Sequence, residues 1–121
     1  MLSDENIKKE AIDFVKKKEN VKKLIQEFAN PINILPDTTP VSVFMAGSPG
    51  AGKTEFSKEL INVLWDNNRN LVVRIDADEI RNKLPGYIGG NAYLFQGAVS
   101  IAVEKIHDSV LKNRQNFILD G

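Results

Sequence analysis

The chain has 121 residues, of which 42% are hydrophobic and 26% are charged, so it is long enough to form one globular domain with a buried core. Its 16 Lys and Arg residues balance its 16 Asp and Glu residues, which excludes a large electrostatic field of a single sign. We therefore expect neither nucleic acid nor a membrane as a partner. The lack of cysteine excludes disulfides, thiolate zinc sites and a thiol nucleophile, and the lack of a leader-like or membrane-spanning apolar run favours a cytoplasmic protein.

The first part of the chain has the apolar spacing of helices. Its apolar residues recur at steps of three and four: Ile7, Ala11, Phe14, Val15, Val21, Leu24, Ile25 and Phe28. The polar stretch 16–20 predicts a break between two helices. Prolines and polar residues up to Pro40 then predict a linker, because neither a helix nor a central strand accommodates them. We therefore predict an N-terminal helical segment with its linker at 1–39 and a separate core at 40–121.

The rest of the chain alternates strands with helices. Short apolar runs at 41–46, 71–75 and 117–119 predict three strands. Helical spacing predicts one helix from the glycine-rich loop to about Trp65, a short helix from Glu79 that stops before Pro85, and a long helix that ends near Lys112. This alternation predicts an α/β fold with a short parallel sheet and right-handed crossovers.

A glycine-rich loop lies between the first predicted strand and the helix that follows it. Its residues match the pattern G-x-x-x-x-G-K-[ST] in the required strand-loop-helix context: Gly47, Ser48, Pro49, Gly50, Ala51, Gly52, Lys53 and Thr54. Glycines let successive backbone N–H groups turn toward a phosphate, and the helix adds its positive dipole end. Lys53 is placed to reach the β- and γ-phosphates, and the Thr54 hydroxyl to bind magnesium. The loop therefore predicts ATP and Mg²⁺ as ligands. Together with the alternating strands and helices, it predicts the three-layer α/β/α core of a P-loop NTPase.

Three carboxylates follow the predicted strands. Asp76, Asp78 and Asp120 stand at strand ends, and ligands of parallel sheets bind beyond those ends. Asp78 is a candidate for the base that accepts the acceptor's proton, although an N-cap of the short helix is the alternative. Asp120 is a candidate magnesium ligand or substrate contact.

Three further residues have open roles. Arg81 is either a phosphate or substrate contact or a solvated residue of the short helix. Glu104, on the long helix, is either functional or an ordinary exposed residue. His107 has no second histidine or cysteine to complete a metal site, so we expect it to be a surface or packing residue.

Three segments together resemble the zeta-toxin family of P-loop kinases, which is known for phosphorylating UDP-N-acetylglucosamine. They are Gly-Ser-Pro-Gly-Ala-Gly-Lys-Thr at 47–54, Ile-Asp-Ala-Asp-Glu-Ile-Arg at 75–81 and Asn-Phe-Ile-Leu-Asp-Gly at 116–121. The resemblance implies a kinase that transfers the γ-phosphoryl group of ATP to a hydroxyl of a sugar nucleotide such as UDP-N-acetylglucosamine. It also implies a toxin that an antitoxin protein holds in check.

The resemblance assigns roles to individual residues. The second Asp of the family's Asp-x-Asp pair, here Asp78, takes the proton from the sugar hydroxyl. Lys53, from the phosphate loop, is the other catalytic candidate, because it would neutralise phosphate charge during transfer. Family members carry a substrate-binding Glu sixteen residues before the acidic residue of the next strand, and Glu104 stands sixteen residues before Asp120. Arg81 belongs to the same matching segment, and we group it with the acceptor-binding residues.

Two departures from the family pattern leave alternatives open. Most family members have Glu where this chain has Asp120. Family members also continue beyond this strand, through arginines that close over the phosphates. We therefore expect the chain to be a fragment of such a kinase, the product of an interrupted gene, or a minimal nucleotide-binding core. The alternatives are another P-loop phosphotransferase, acting on another small-molecule acceptor, and a nucleotide- or partner-binding module without turnover. The N-terminal helices are expected to cover the sheet, to limit access to the nucleotide, or to bind a partner.

Overall fold

The computed structural model describes residues 3–45 and 53–120. Of Lys53 and Thr54 it describes only the backbone. The elements, in chain order, are α1 (Asp4–Lys16), α2 (Lys18–Ala29), β1 (Ser42–Met45), α3 (Lys53–Trp65), β2 (Val72–Asp76), α4 (Ala77–Arg81), α5 (Gln96–Lys112) and β3 (Asn116–Asp120). Short 3-10 turns precede β2 and α5, at Arg69–Leu71 and Ala92–Leu94. The predicted elements are therefore confirmed, except that α4 begins at Ala77 and not at Glu79.

The strands form a parallel sheet in the order β1-β3-β2. Strand β3 lies in the centre, and its Phe117 and Ile118 are fully buried. The register sets Asp120 level with Met45 of β1 on one side and with Asp76 of β2 on the other. The carboxyl ends of all three strands therefore meet at one edge of the sheet.

Helices cover both faces of the sheet. Because side chains alternate along a strand, Val72 and Ile118 pack on one face against Ile61 and Trp65 of α3. The other face forms the main core beneath α5, with Val73, Ile75 and Phe117 of the sheet packed against Ala98, Ala102 and Ile106 of the helix. This arrangement agrees with the predicted three-layer α/β/α order. Among the described helices, none is long and apolar enough to cross a membrane.

The N-terminal helices belong to the main core. Both α1 and α2 pack against α5, and their buried residues Ala11, Val15, Leu24 and Ala29 join the same cluster as β2 and β3. The Gln115 side chain, which is 1% exposed, donates hydrogen bonds to the carbonyls of Ala29 and Ile34 at 3.0 and 2.9 Å. The rest of their apolar stripe, including Ile7, Phe14, Ile25 and Phe28, is partly buried against the same cluster, so these helices pack on the α5 side of the sheet, mainly against α5 itself.

A buried asparagine ties the linker to the amino ends of the strands. The Asn116 side chain accepts a hydrogen bond from the Val41 N–H at 2.9 Å and donates to Asp37 at 3.0 Å and to the Leu71 carbonyl at 2.8 Å. The Thr39 backbone N–H and the Asn116 amide lower the pKa of the Asp37 carboxyl. One side chain therefore joins β1, β2, β3 and the linker.

We predict that Leu24→Ala lowers the free energy of unfolding by about 2–5 kcal/mol, because it leaves a cavity where α2 packs into the core. Gln26→Ala, at an exposed position on the same helix, is the matched control and should stay near wild type. Urea unfolding of the three proteins measures the difference. Equal stability of the two variants would contradict a shared core.

Candidate functional site

The amino end of α3 lies beside the carboxyl ends of the strands. The predicted loop residues Gly47, Ser48, Pro49, Gly50, Ala51 and Gly52 lie outside the described residues, and α3 begins directly after them at Lys53. Ser57, one turn into α3, is buried and accepts a hydrogen bond at 3.0 Å from the Nε of Arg74 on β2. Thr54 thus lies in the first turn of a helix that is anchored at this edge of the sheet.

One arginine gathers the polar groups at this edge. Arg74 Nη2 lies 2.7 Å from Asp120 Oδ2 and 3.7 Å from Asp76 Oδ2, and its Nη1 lies 3.6 Å from Glu79 Oε1. The Arg74 side chain is 15% exposed and that of Asp120 only 4%. We call Ser57, Arg74, Asp76, Glu79 and Asp120 the Arg74 cluster.

Asp120 is therefore paired with a cation of the protein. A guanidinium at 2.7 Å makes a strong charge-assisted hydrogen bond, and the low exposure of both side chains limits screening by water. Over the described residues, no three His, Cys, Asp or Glu side chains are grouped so as to hold a metal ion. Magnesium needs few protein ligands when phosphates and water supply the rest, so the site accommodates it only as a partner of the nucleotide.

The cap of helix α4 is Asp76. Its backbone is extended (φ −115°, ψ 124°), as an N-cap residue requires, and its Oδ1 accepts a hydrogen bond from the Asp78 N–H at 2.8 Å. Asp78 lies inside the first turn of the helix, so the alternative that Asp78 is the cap is wrong. Helix α4 begins earlier than predicted because Asp76, the last residue of β2, is also the N-cap of the helix.

Asp78 projects from this first turn into solvent. Its side chain is 81% exposed and forms an ion pair with Arg81, one turn further along α4. Arg81 is only 17% exposed and lies 5.9 Å from the ring centroid of Tyr87, so it is held against the protein rather than extended into solvent. The structure thus brings together two of the predicted residues at an accessible position.

Glu104 lies at a cavity on the other face of the sheet. The cavity has a volume of about 420 Å³ and opens between α5 and the ends of the strands. Its lining comprises Phe44, Ala77, Val99, Ser100, Val103, Glu104, His107 and Leu119. Ala77 also precedes Asp78 in α4, so the cavity reaches the helix that carries the candidate base.

His107 forms an aromatic wall of this cavity. Its ring centroid lies 5.4 Å from that of Phe44, in an edge-on arrangement, and 5.1 Å from that of Phe117. Its Nε2 is buried and makes no hydrogen bond within the part of the chain that is described. These contacts agree with the packing role that the sequence favours.

The predicted site residues that follow the phosphate loop in the sequence fall into three groups. Asp120 lies on the α3 face of the sheet, Asp78 and Arg81 lie at the end of β2, and Glu104 lies on the α5 face. Sequence reasoning missed Arg74, which pairs with Asp120. The sequence feature that points to Arg74 is its charge within an otherwise apolar strand. Arg74 stands two positions before Asp76, so both side chains lie on the same face of the sheet.

Comparisons with known proteins agree with this architecture. The family model described as Zeta toxin matches residues 25–121. Among curated proteins, Chaperone protein ClpB of Mycoplasma genitalium is 38% identical over 90 residues, which cover 66% of this chain and 12% of that protein.

Among solved structures, a chain of the PezAT chromosomal toxin-antitoxin system of Streptococcus pneumoniae is similar, with a TM-score of 0.63 and 18% identity. The match covers 100% of this chain and 45% of that chain. At this identity the likeness shows the fold, and it confirms the P-loop NTPase type of α/β architecture that the sequence predicts. The chain spans less than half the length of either relative.

We predict that Asp76→Ala lowers the free energy of unfolding by about 0.5–2 kcal/mol, because it removes the cap of α4. Asp76→Asn should stay closer to wild type, since asparagine caps about as well as aspartate. Asp78→Ala, two residues further on, is the second control and should cost less than Asp76→Ala. Urea unfolding measures all three, and a larger loss in Asp78→Ala would return the capping role to that residue.

Proposed function

The chain belongs to the zeta toxin family, whose model matches residues 25–121, and we propose on this basis that it binds ATP with Mg²⁺ and acts as a phosphotransferase. The proposed acceptor is a hydroxyl of a small molecule, such as the sugar nucleotide UDP-N-acetylglucosamine. The observation that carries the proposal is the common edge of the sheet, where the carboxyl ends of the strands, the amino end of α3 and the exposed Asp78 carboxylate lie together.

The nucleotide would bind through the loop and the start of α3. The pattern from Gly47 to Thr54 offers backbone N–H groups to phosphate oxygens, and α3 adds its positive dipole end. Lys53 would neutralise the β- and γ-phosphates. Thr54 and Asp120 are the groups that would hold Mg²⁺, although Asp120 would have to share its oxygens with Arg74. The ion would supply charge neutralisation at the transferring phosphoryl group.

The acceptor would lie over α4 and α5. Asp78 is exposed, and Glu104 is exposed at a cavity that Ala77, the residue before Asp78, also lines. The acceptor oxygen would form a bond to the γ-phosphorus while the bond to the bridging oxygen of ADP breaks, and Asp78 would receive the hydroxyl proton. Arg81, paired with Asp78, would orient the carboxylate or contact the acceptor.

The protein partner proposed for this chain is an antitoxin. Support comes from the similar solved chain, which belongs to a toxin-antitoxin system. Within the chain, we propose residues 40–121 as the phosphotransferase core and residues 1–39 as an accessory segment that packs on it. The shared hydrophobic cluster supports a stabilising role for that segment.

We predict that Lys53→Ala weakens ATP binding by about 10- to 100-fold, because a charge-assisted contact to phosphate contributes about 1.5–3 kcal/mol. Lys58→Ala, at an exposed position on the same helix, is the matched control and should leave the affinity unchanged. Isothermal titration calorimetry measures the dissociation constants. Unchanged affinity in Lys53→Ala would mean that the loop does not bind the triphosphate.

We predict that Asp78→Asn lowers transfer by about 10²-fold or more while ATP affinity is retained, because asparagine cannot accept the acceptor's proton. Mass spectrometry of a panel of sugar nucleotides incubated with ATP and Mg²⁺ detects the gain of one phosphate. Asp108→Asn, an exposed carboxylate on α5, is the control.

Two outcomes would redirect the proposal. Full transfer by Asp78→Asn would exclude Asp78 as the base. ATP binding by the wild type without transfer to any acceptor of the panel would instead favour a nucleotide-binding module without turnover.

A further inference from the structure

A groove bordered by lysines lies between the N-terminal helices and α5. It has a volume of about 240 Å³, and its lining combines lysines from three helices with two apolar residues of α2: Lys16, Lys18, Val21, Lys22, Ile25 and Lys105. The lysines are exposed, whereas the two apolar residues are partly buried, so the cations form the rim and the apolar side chains the floor. We call this site the lysine groove.

The lysines of the groove have no counter-charge within the described part of the chain. Elsewhere on the surface, Lys9 forms an ion pair with Asp13, and Lys83 forms one with Glu27. No described carboxylate forms an ion pair with a lysine of the groove. The stretch 16–23 contains five lysines and one glutamate, although the chain as a whole is neutral. Positive charge is therefore concentrated beside this groove.

The lysines at the start of α2 do not serve the helix itself. Lys17 occupies the N-cap position without a side-chain cap hydrogen bond, although Ser, Thr, Asp and Asn are the preferred caps. Lys18 places a cation at the positive end of the helix dipole, and it stands four residues before Lys22, where like charges repel each other. Residues that break local rules without a gain in stability are expected at functional sites.

Charge and size identify the kind of occupant. A ligand rich in carboxylates would relieve the repulsion among the lysines and would be attracted to the amino end of α2. Val21 and Ile25 offer a contact to an apolar side chain, and the aliphatic stems of the lysines extend this apolar surface. A volume of about 240 Å³ is below the range of about 300–1,000 Å³ that is typical of small-molecule sites, so the groove suits a side chain of a larger partner.

Two other anionic partners fit the groove less well. Sites for single-stranded nucleic acid combine cations with aromatic side chains or arginines that stack on bases, and the lining of the groove contains neither. A membrane surface requires apolar side chains that project into it, whereas Val21 and Ile25 lie below the lysines. A protein segment can insert one side chain between the lysines, so it is the partner that these observations favour.

We propose that the lysine groove is a docking site for an acidic protein segment that carries one apolar anchor residue. The anchor contacts Val21 and Ile25, and carboxylates on either side of it pair with Lys18, Lys22 and Lys105. The lining includes none of the residues proposed to bind the nucleotide or the acceptor. The inference therefore goes beyond the proposed function and does not depend on it.

The test uses the full chain and a fluorescent peptide in which one leucine is flanked on both sides by glutamates. Fluorescence anisotropy should show saturable binding that weakens several-fold when ionic strength rises from about 0.01 to about 0.15 M, because the Debye length falls from about 30 to about 8 Å. Lys22→Glu/Lys105→Glu should weaken binding by about tenfold or more. Each exposed ion pair accounts for up to about fivefold in affinity, and the reversed charges add repulsion.

The matched control is Lys8→Glu/Lys23→Glu, which changes the net charge equally at exposed positions of α1 and α2 outside the groove. Its affinity should stay within about twofold of the wild type. Val21→Ser should weaken binding of the leucine peptide, but it should not affect a peptide in which serine replaces the leucine. Thermal unfolding of the groove variants should occur at or slightly above the wild-type temperature, because repulsion among the lysines is reduced.

Several outcomes would overturn the proposal. They are the absence of saturable peptide binding by the folded wild type, equal weakening in the two double variants, and a melting temperature of the groove variant that is several degrees lower. Tighter binding of a uridine oligonucleotide or of phosphatidylserine vesicles, lost in Lys22→Glu/Lys105→Glu, would assign the groove to nucleic acid or to a membrane instead. If that variant does not fold, Val21→Ser with the two peptides decides the question. A wild type that binds no ATP would refute the proposed function and leave the peptide measurements decisive for the groove.

Discussion

Strand β3 lies between β1 and β2 and is covered by helices on both faces, so its polar residues must find partners within the protein. At its amino end, Gln115 and Asn116 bond the carbonyls of Ala29, Ile34 and Leu71, the Val41 N–H and the Asp37 carboxylate. At its carboxyl end, Asp120 bonds Arg74. The central strand is thereby held at one end by amides and at the other by an ion pair.

The contacts at the two ends of β3 join different parts of the protein. The amides hold the linker and the end of α2, so they join the N-terminal helices to the sheet. The ion pair joins β3 to β2 and, through Ser57, to α3. Removal of one partner from such a buried pair costs about 3–5 kcal/mol, because the other charge stays buried without compensation. Asp120 is therefore a structural residue as well as a candidate site residue.

The sequence predicts the elements well because each has a local cause. Apolar spacing marks α1, α2 and α5, and short apolar runs mark the three strands. The partners of individual side chains have no such local signal. Arg74 meets Asp120 only because β3 lies beside β2 in the strand order, and nothing in the spacing of the two segments specifies that order. The sequence offers Asp78 as an alternative cap of α4, whereas the cap is Asp76, because β2 leads directly into the helix and leaves no turn between them.

Helix α4 connects the two sides of the sheet. Its cap, Asp76, belongs to the Arg74 cluster on the α3 side, and its Ile80 is fully buried in the core on the α5 side. Because α4 has only five residues, its position depends on these two attachments more than on its own helical hydrogen bonds. Asp78 lies between them on the exposed side. The same charge pairing that holds Asp120 therefore contributes to the position of the proposed base, and the nucleotide and acceptor sides share one support.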